Sequence, residues 1–530
     1  MATAINNAKP AARTARQSQW AIVVRQFCKR RLAVASAFVV LFLVTISIFA
    51  PLLANDRPIY FVGINRFEFR EAAKNSRALI VQLMGSAKAN SGKWEELAKT
   101  LERQFDLMFG ELSVEASENL KNIRNKIAVA IANPDRNQAI IELRGLQKDL
   151  RPILEAAESH LTGRAHWPIF KSLRSTDLGF MSAIVLLLTI PLWQRWAASK
   201  VDGSSSLVFL IMILVPTICA ATWWLLVPVR VDRTEYKAGV LAADPTAAKS
   251  GVVYQTVLWP PVAYGIDEYD LAGMSAPPAW YPEKWKPKTS RKVSDVKKAA
   301  SPWNTPHWMG TDEGGRDILC RMIWGGRVSL SVGMVAVAIY VSIGIIVGAL
   351  AGYFRGVTDL LISRLIEVVI CFPSFFLILT IVAMVGPSLL NIMVVIGLTG
   401  WTGIARLVRG EFLRLVDQEF VLAGRALGYS PLRLIFRHVL PNAMAPVMVS
   451  ATFGIAGAIL TESALSFLGL GIQAPIPSWG SLLFDGRSVM DHAPWLIHFP
   501  GLAIFITITS YNLIGEALRD AADPRLRGSR

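Results

Sequence analysis

The residues best suited to a binding function lie in the segment from Glu419 to Asn442, which separates two long apolar runs. A loop that only joins two membrane spans needs few residues. Here arginine side chains, which pair with carboxylates, alternate with large apolar side chains, which fill grooves. The pattern predicts a surface that docks on a partner with an acidic rim. Its residues are Arg425, Arg433, Arg437 and His438, interleaved with Leu427, Tyr429, Leu432, Leu434 and Phe436.

A second group of charged and small residues precedes the apolar run that begins at Val328. Its glycines allow tight turns, and Asp312, Arg316 and Asp317 can brace these turns through charge-assisted hydrogen bonds. We therefore expect a rigid turn here. The group comprises Gly310, Thr311, Asp312, Gly315, Arg316, Asp317 and Arg321.

Charged residues within or beside the apolar runs form a third group. An acid at membrane depth is costly, so Glu462 either lines a translocation path or hydrogen-bonds the turn around Ser463 and Ser466. Arg364 and Glu367 lie one helical turn apart and are expected to pair with each other or with a neighbouring helix. Pro373 is expected to kink the same span.

Catalytic motifs are not found in the sequence. It contains no G-x-x-x-x-G-K-[ST] phosphate loop, no H-E-x-x-H and no G-x-S-x-G. The four cysteines and six histidines are scattered, without disulfide or metal spacing. We expect no catalytic residue, no metal and no cofactor, and hence a chain that is not an enzyme.

The composition indicates an integral membrane protein, because 53% of the residues are hydrophobic and only 18% are charged, against about 25% charged in soluble domains. A helix needs about 20 apolar residues to span the bilayer. Eight runs qualify, and they predict an all-α polytopic membrane protein. They are 32–54, 178–193, 207–228, 328–354, the two halves of 368–405 on either side of Gly386, 441–461 and 495–514.

The basic residues predict the orientation, since lysine and arginine favour the cytoplasmic side of the spans. Residues 1–31 carry seven such residues and no acid. The N-terminus is therefore expected in the cytoplasm, followed by a retained anchor. Eight crossings then put residues 406–440 and the C-terminus in the cytoplasm as well. The net charge of +16 is attributed to topology and to contact with anionic membrane lipid, and not to nucleic acid.

Two long hydrophilic segments are expected outside the cytoplasm. In the first, apolar residues recur at helical spacing from Trp94, from Leu120 and from Leu143, which predicts three amphipathic helices. This insert is either a structural cap or a docking site for a partner. The second segment, rich in proline and tryptophan around Trp259 and Trp280, is expected to be irregular.

The 419–442 segment resembles the coupling loop of the membrane subunits of bacterial ABC importers. Leu422 stands where the family has an acid, while Gly428 and Leu440-Pro441 fit. Further motifs resemble the dipeptide and oligopeptide (peptide/nickel) branch, and within it the C-type permease. They are the 310–317 group, 352–356, Arg364 with Glu367, Pro373, 461–471, 477–480 and 515–520.

This resemblance implies the transmembrane fold of a type I ABC importer with an enlarged N-terminal half. It also implies a second homologous permease subunit, two separate ABC ATPase subunits and a periplasmic substrate-binding protein as partners, with rigid-body alternating access. It favours a structural role for Glu462. Peptides are the expected cargo, although nickel, opines and sugars pass through relatives. The ATPase-coupling residues that it implies are Glu419, Phe420, Ala423, Gly424, Arg425, Ala426, Leu427, Gly428, Tyr429 and Pro441.

The resemblance implies a location in the bacterial inner membrane. The alternative function is that of an autonomous secondary transporter, or of a scaffold or receptor that uses the insert. The predicted domains are a cytoplasmic basic arm at 1–31, a first span at 32–54, a helical periplasmic insert at 55–174, two additional spans at 175–228, a periplasmic segment at 229–327, a five-helix permease core at 328–518 with its coupling loop at 406–440, and a cytoplasmic tail at 519–530.

Overall fold

A computed structural model describes residues 19–88, 93–109, 112–198, 204–226, 232, 234–243, 251–270, 273–281 and 306–522. The first 18 residues of the predicted basic arm, part of the predicted 229–327 segment and the tail beyond residue 522 lie outside the described residues.

The described chain is mainly helical, which confirms the predicted fold class. A π-helical turn at Ile435–Val439 precedes α17, and a 3₁₀ turn lies at Tyr236–Ala238. The helices are α1 Gln19–Lys29, α2 Arg31–Ile48, α3 Ala50–Leu53, α4 Arg66–Lys88, α5 Trp94–Phe109, α6 Val114–Ala132, α7 Arg136–Glu158, α8 Pro168–Ser172, α9 Ser175–Ala198, α10 Ser204–Leu226, α11 Ile318–Phe354, α12 Gly356–Ile370, α13 Ser374–Val385, α14 Leu389–Leu415, α15 Glu419–Ala426, α16 Pro431–Leu434, α17 Leu440–Phe467, α18 Trp479–Gly486 and α19 Trp495–Ala522. The strands are β1 Tyr60–Asn65, β2 Arg164–His166, β3 Val240–Leu241 and β4 Val252–Leu258.

Among the described residues, five helical stretches are long and apolar enough to cross a membrane: α2, α11, α14, α16 with α17, and α19. The pair α12 and α13 passes the same test together, with a bend of 78°. Shorter apolar stretches lie in α9 at Ser175–Ile190 and in α10 at Leu210–Leu225. Counting the bent pair and both short stretches gives the eight expected spans, and crossing by α9 and α10 stays a prediction.

The bend between α12 and α13 is sharper than the expected kink. The helix ends at Ile370, and Pro373 directly precedes α13. Proline cannot donate a backbone hydrogen bond and clashes with the preceding turn, which explains a break in the helix here. The helix that leads into this span begins at Gly356, twelve residues before the uncharged run, and the start of the span itself stays a prediction.

The chain divides into two compact units. The first comprises residues 1–48, 266–293 and 307–530, and its main core lies between helices α11 to α17. Glycines at 344, 348 and 352 repeat every fourth residue along α11 and face α14. A Cβ at Gly348 would lie 2.5 Å from the carbonyl oxygen of Ala405. Small residues at this spacing let two membrane helices approach closely.

The second unit comprises residues 49–265 and 294–306. Helices α4 to α7 enclose an apolar core, and α5, α6 and α7 correspond to the three helices predicted from apolar spacing. The turn at residues 133–135 lies between α6 and α7, where Asp135 accepts a hydrogen bond from the backbone of Asn137 at 2.9 Å.

A small sheet in the second unit was not predicted. Its strand order is β2-β1-β4-β3, with β1 antiparallel to both β2 and β4. The expected irregular structure is therefore wrong for β3 and β4. Val252, Val253 and Tyr254 favour a strand, but β4 pairs with a strand almost two hundred residues earlier, at Tyr60 to Asn65. A local pattern does not reveal such a partner.

Candidate functional site

The 419–442 segment forms a helical hairpin. At the end of α15 the backbone N–H of Tyr429 donates to Gly424 at 3.1 Å, and that of Gly428 donates to Arg425 at 2.9 Å. This pair of bonds, with Gly428 at φ +75°, is the Schellman arrangement that ends a helix. Ser430 then caps α16 by accepting the N–H of Arg433. The loop geometry is thus built into the sequence of the segment.

One face of this hairpin is buried in the chain's own core, at Val421, Leu434, Ile435 and Val439. The other face carries large apolar side chains that remain exposed, and Leu427 is 71% exposed. A contiguous exposed apolar surface commonly marks an interaction site. The exposed apolar residues are Phe420, Leu422, Leu427, Leu432 and Phe436.

The predicted coupling residues divide between these two faces. Glu419, Ala423, Ala426 and Pro441 are exposed together with Phe420 and Leu427. Gly424 is buried instead, and a Cβ there would lie 2.8 Å from Cδ2 of Leu434. Its small size therefore serves packing against Leu434 within the chain, and its coupling role stays a prediction.

Two further predicted residues contact aromatic or basic side chains of the same chain. The ring of Tyr429 is half-buried, with the guanidinium of Arg433 over it at 4.1 Å and the ring of His438 stacked at 5.7 Å. The guanidinium of Arg425 lies 5.5 Å from the ring of Tyr353. Tyr429 is thus used inside the hairpin, and its expected insertion into a partner's groove is not supported by this position.

Arg355, which had no assigned role in the sequence, supports the base of the hairpin. It adopts φ +56° with ψ −162°, a backbone conformation that costs a non-glycine residue about 1–3 kcal/mol. Its Nη2 donates to the carbonyl of Leu413 at 3.1 Å and to Oδ2 of Asp417 at 2.6 Å. This hydrogen bond lowers the pKa of Asp417. Arg355 therefore links the junction between α11 and α12 to the residues just before α15.

The other charged residues near this end pair as follows. Arg364 donates to Glu367 at 2.6 Å, and both side chains are exposed, so these two residues pair with each other. Arg409 on α14 binds both carboxylate oxygens of Asp359 on α12. The second pair joins two helices, and the sequence analysis had not assigned it.

The 310–321 turn contains a charge network with Asp312 at its centre. Oδ1 of Asp312 accepts the backbone N–H groups of Gly314 and Arg316, each at 2.9 Å. Oδ2 accepts Nε of Arg316 at 2.7 Å and Nη1 of Arg321 at 2.6 Å. Burial opposes the charge of Arg316, but the Asp312 carboxylate outweighs it, and the pKa of Arg316 is raised. The predicted bracing between Asp312 and Arg316 is present.

Asp317 does not join this network, contrary to expectation. Its Oδ1 caps α11 by accepting the N–H of Cys320 at 2.7 Å, and its Oδ2 lies 2.8 Å from Nδ1 of His307. A carboxylate that the sequence analysis missed, Asp485 of α18, binds Arg321 at 3.1 Å. Its only sequence signal is its position shortly after the motif at 477–480.

The two glycines and Thr311 close the turn. Gly315 has φ +74°, and a Cβ there would lie 1.8 Å from the carbonyl oxygen of Asp270. A Cβ at Gly310 would lie 2.7 Å from the carbonyl oxygen of Ala276. The carbonyl of Thr311 accepts Nε1–H of Trp495 at 3.0 Å, which ties the turn to the start of α19.

Glu462 is fully buried near the C-terminal end of α17. Its Oε1 accepts the hydroxyl of Ser466 at 2.8 Å, and its Oε2 accepts those of Ser329 at 3.1 Å and Ser463 at 3.5 Å. The hydroxyl of Ser329 in turn accepts the N–H of Trp479 at 3.2 Å. These contacts join α17 to α11 and α18. They favour a structural role for Glu462 over a place on the translocation path, and this role stays a prediction.

The 310–321 turn and the 419–442 segment lie at opposite ends of α11. Arg321 is in the first turn of this 37-residue helix, and Arg355 directly follows it. At 1.5 Å per residue the two positions are about 50 Å apart. The helix is thus long enough to put one candidate site on each side of a bilayer.

Comparison with known proteins shows which family this chain belongs to. Residues 344–528 match the family described as binding-protein-dependent transport system inner membrane component. Residues 18–65 match the N-terminal transmembrane domain of oligopeptide transport permease C. The dipeptide transport system permease protein DppC of Alkalihalophilus pseudofirmus is 45% identical over 221 residues, which cover 42% of this chain and 73% of that protein. The chain belongs to this permease family.

Other relatives of this permease have similar coverage. The oligopeptide permease OppC of Haemophilus influenzae is 44% identical over 42% of this chain and 71% of its own length. The glutathione permease GsiD of Pectobacterium atrosepticum is 40% identical over a region that covers 42% of this chain and 74% of that protein. A solved structure titled as inward-facing conformations of the MetNI methionine ABC transporter covers 38% of this chain and 97% of its own, at 16% identity and a TM-score of 0.33.

Family membership makes this chain a multi-pass inner-membrane permease subunit of a binding-protein-dependent transporter, and not an autonomous secondary transporter. The 419–442 segment, Arg355 and Glu462 fall inside the matched range 344–528. The 310–321 turn and residues 66–343 as a whole lie outside both matched ranges.

Proposed function

We propose that this permease subunit passes peptides across the inner membrane, driven by separate ATPase subunits that dock on the 419–442 segment. The observation that carries the proposal is the exposed apolar face of this hairpin beside Arg425 and Arg433. Arginines with adjacent apolar side chains are typical of interface hot spots. The chain itself carries no nucleotide-binding motif, so the energy source is a different polypeptide.

The position of the chain ends supports a cytoplasmic location for this hairpin. Arg30 pairs with Asp520 at 2.5 Å, so α1 and the end of α19 lie together. Since α11 and α19 both start at the 310–321 turn, their C-terminal ends lie at the opposite end, with the hairpin. The basic residues before α2 favour the cytoplasm. Both termini and the 419–442 segment are then cytoplasmic, and the 310–321 turn faces the periplasm.

Peptides are the proposed cargo because several relatives carry dipeptide, oligopeptide or glutathione in their names. The proposed partners are a second homologous permease subunit, two ABC ATPase subunits and a periplasmic substrate-binding protein. Movement of the ATPase subunits would shift the hairpin as a rigid body, because the Schellman turn and its buried face fix its shape. The helices attached to it would then alternate between inward and outward access.

The test compares two substitutions of Gly428 in the complete transporter, purified with its co-purifying subunits and reconstituted. A Cβ at this position meets no atom of the chain within 4 Å. Gly428→Ala and Gly428→Trp therefore share the backbone strain of φ +75°, about 1–2 kcal/mol. Only the tryptophan adds bulk on the exposed side.

We expect Gly428→Trp to lose the ATPase subunit and ATP-driven peptide uptake, while Gly428→Ala retains most of both. Leu427→Ser should weaken ATPase recovery as well. Val129→Ser, at a similarly exposed apolar position in the insert (69% against 71%), should not. Equal uptake by the tryptophan and alanine variants would contradict docking at this position.

A further inference from the structure

The second unit carries an exposed aromatic cluster where the sheet meets the hairpin of α9 and α10. The rings of Tyr60 and Trp167 are 4.6 Å apart, and those of Trp167 and Phe170 are 5.8 Å apart. Trp167 is 50% and Phe170 37% exposed. The rings of these two pairs are tilted at 51° and 66° to each other, so they form one packed aromatic group that is still partly exposed.

The cluster lies at one end of the α9–α10 hairpin. α9 begins at Ser175, five residues after Phe170. Nε1–H of Trp223, near the end of α10, donates to the carbonyl of Leu173 at 3.0 Å, so the C-terminal end of α10 lies beside the N-terminal end of α9. Trp224, which is 68% exposed, thereby belongs to the same end. We name Tyr60, Trp167, Phe170 and Trp224 the aromatic collar.

Beyond the aromatic collar, the hairpin itself presents apolar side chains outward. The two helices pack closely at Gly179, because a Cβ added there would lie 3.3 Å from the Cβ of Ala220. Their outer faces remain about half exposed, as the set Phe180, Val185, Leu188, Leu210, Ile213 and Ile218 illustrates. A hairpin that is apolar on its outside requires an apolar environment.

We propose that the aromatic collar sits in the phospholipid headgroup layer, where the α9–α10 hairpin enters the bilayer, and holds the sheet at the membrane surface. Tryptophan and tyrosine rings favour this layer because one edge is polar and the body is apolar. Arg174, exposed one residue before α9, is placed to meet lipid phosphates. The apolar stretch Ser175–Ile190 covers about 24 Å at 1.5 Å per residue. Anchors in the headgroup layer accommodate such a short stretch.

Lipid is the occupant that the structure favours, because the aromatic collar is continuous with the outward apolar face of the hairpin. Exposed apolar residues elsewhere in the insert, such as Val129 on α6 and Ile141 on α7, lie far along the chain from the hairpin. They therefore serve as matched controls of similar or greater exposure.

The experiment measures the depth of spin labels in the full chain, reconstituted in vesicles of phosphatidylcholine and phosphatidylglycerol. The four natural cysteines are replaced by alanine, and a nitroxide is attached at Trp167→Cys or Phe170→Cys. Controls carry it at Val129→Cys or Ile141→Cys, and a lipid reference at Ile213→Cys. Collisions with oxygen, which concentrates in the bilayer, are compared with collisions with a water-soluble nickel chelate.

We expect the ratio of oxygen to nickel collisions at positions 167 and 170 to be several-fold above that of the controls and below that at position 213. A ratio equal to that of the controls overturns the proposal. Exclusion of both reagents indicates a protein partner on the collar and overturns it as well.

The unsubstituted chain provides a second measurement in case the cysteine variants do not fold. A phosphatidylcholine with a photoreactive headgroup should crosslink to the peptide between Arg164 and Arg174. Crosslinks to the α9–α10 hairpin without any in this peptide overturn the proposal.

Discussion

Replacement of Arg321 by methionine is expected to destabilise the permease strongly. The Arg321 side chain is 2% exposed, and its Nη1 lies 2.6 Å from Asp312 and 3.1 Å from Asp485. Removing one partner of a buried ion pair costs about 3–5 kcal/mol, because the other charge stays buried. Since Arg316 still binds Asp312 at 2.7 Å, we expect about 3 kcal/mol, the lower end of this range.

The matched control is Arg364→Met. This residue pairs with Glu367, but the two side chains are 70% and 60% exposed, and an exposed pair contributes about 0–1 kcal/mol. Both variants lose an arginine and gain an apolar side chain of similar length, so they differ mainly in burial.

The assay is the midpoint temperature at which each purified variant loses its monodisperse elution peak in mild detergent. Arg321→Met should melt well below the unsubstituted chain, and Arg364→Met should match it. Adding Asp312→Asn to Arg321→Met should lower the midpoint further, because Arg316 then loses the carboxylate that it binds at 2.7 Å. Equal midpoints for the two arginine variants would refute the reasoning that the 310–321 turn depends on this buried network.

Four further substitutions, at Arg355, Asp417 and Glu462, test the proposed support of the hairpin and the role of the buried acid. Arg355→Gly relieves the φ +56° strain but removes the bond to Asp417. Its midpoint should change little, since about 1–3 kcal/mol of relief offsets the lost contact. Peptide uptake per ATP hydrolysed should fall, as it should for Asp417→Asn. Unchanged coupling in both variants would argue against a positioning role of Arg355. Glu462→Gln should keep uptake, because the serine hydroxyls can reorient, while Glu462→Leu should lose about 1–3 kcal/mol of stability by leaving buried hydroxyls without an acceptor. Loss of uptake with full stability in Glu462→Gln would instead favour the translocation path.

Much of the helical framework could be predicted because its signals are local. The length of an uncharged run decides whether a helix can cross the bilayer, and such runs indicated α2, α11, α14, α17 and α19. The helical spacing of apolar residues, which is also a local signal, predicted α5 to α7. The helix ends at Gly428 and Ser430 are also set by contacts within a few residues, although the sequence analysis assigned no helix boundary to them.

The contacts of individual site residues were less predictable. Gly424 and Tyr429 had been predicted as ATPase-coupling residues, and the structure shows that both also pack within the hairpin. A glycine and a tyrosine fit both the interior of the hairpin and an interface with a partner. Only the folded positions of Leu434 and Arg433 show that these two residues have contacts within the hairpin. The carboxylate of Asp317 could likewise either brace the 310–321 turn or cap a helix. In the structure it caps α11, because the helix starts directly after it.

The sequence by itself determined the class of the protein, the position of its longest apolar spans and the position of the segments that carry its family motifs. These follow from the composition of short stretches and from the cost of placing polar groups in a bilayer. The tertiary structure alone decided which charges meet: Arg321 with Asp485, Arg355 with Asp417, and Glu462 with Ser329. It also decided the pairing of β1 with β4. These partners are between 62 and 198 residues apart, so they become neighbours only when helices and strands that are remote in sequence have packed together.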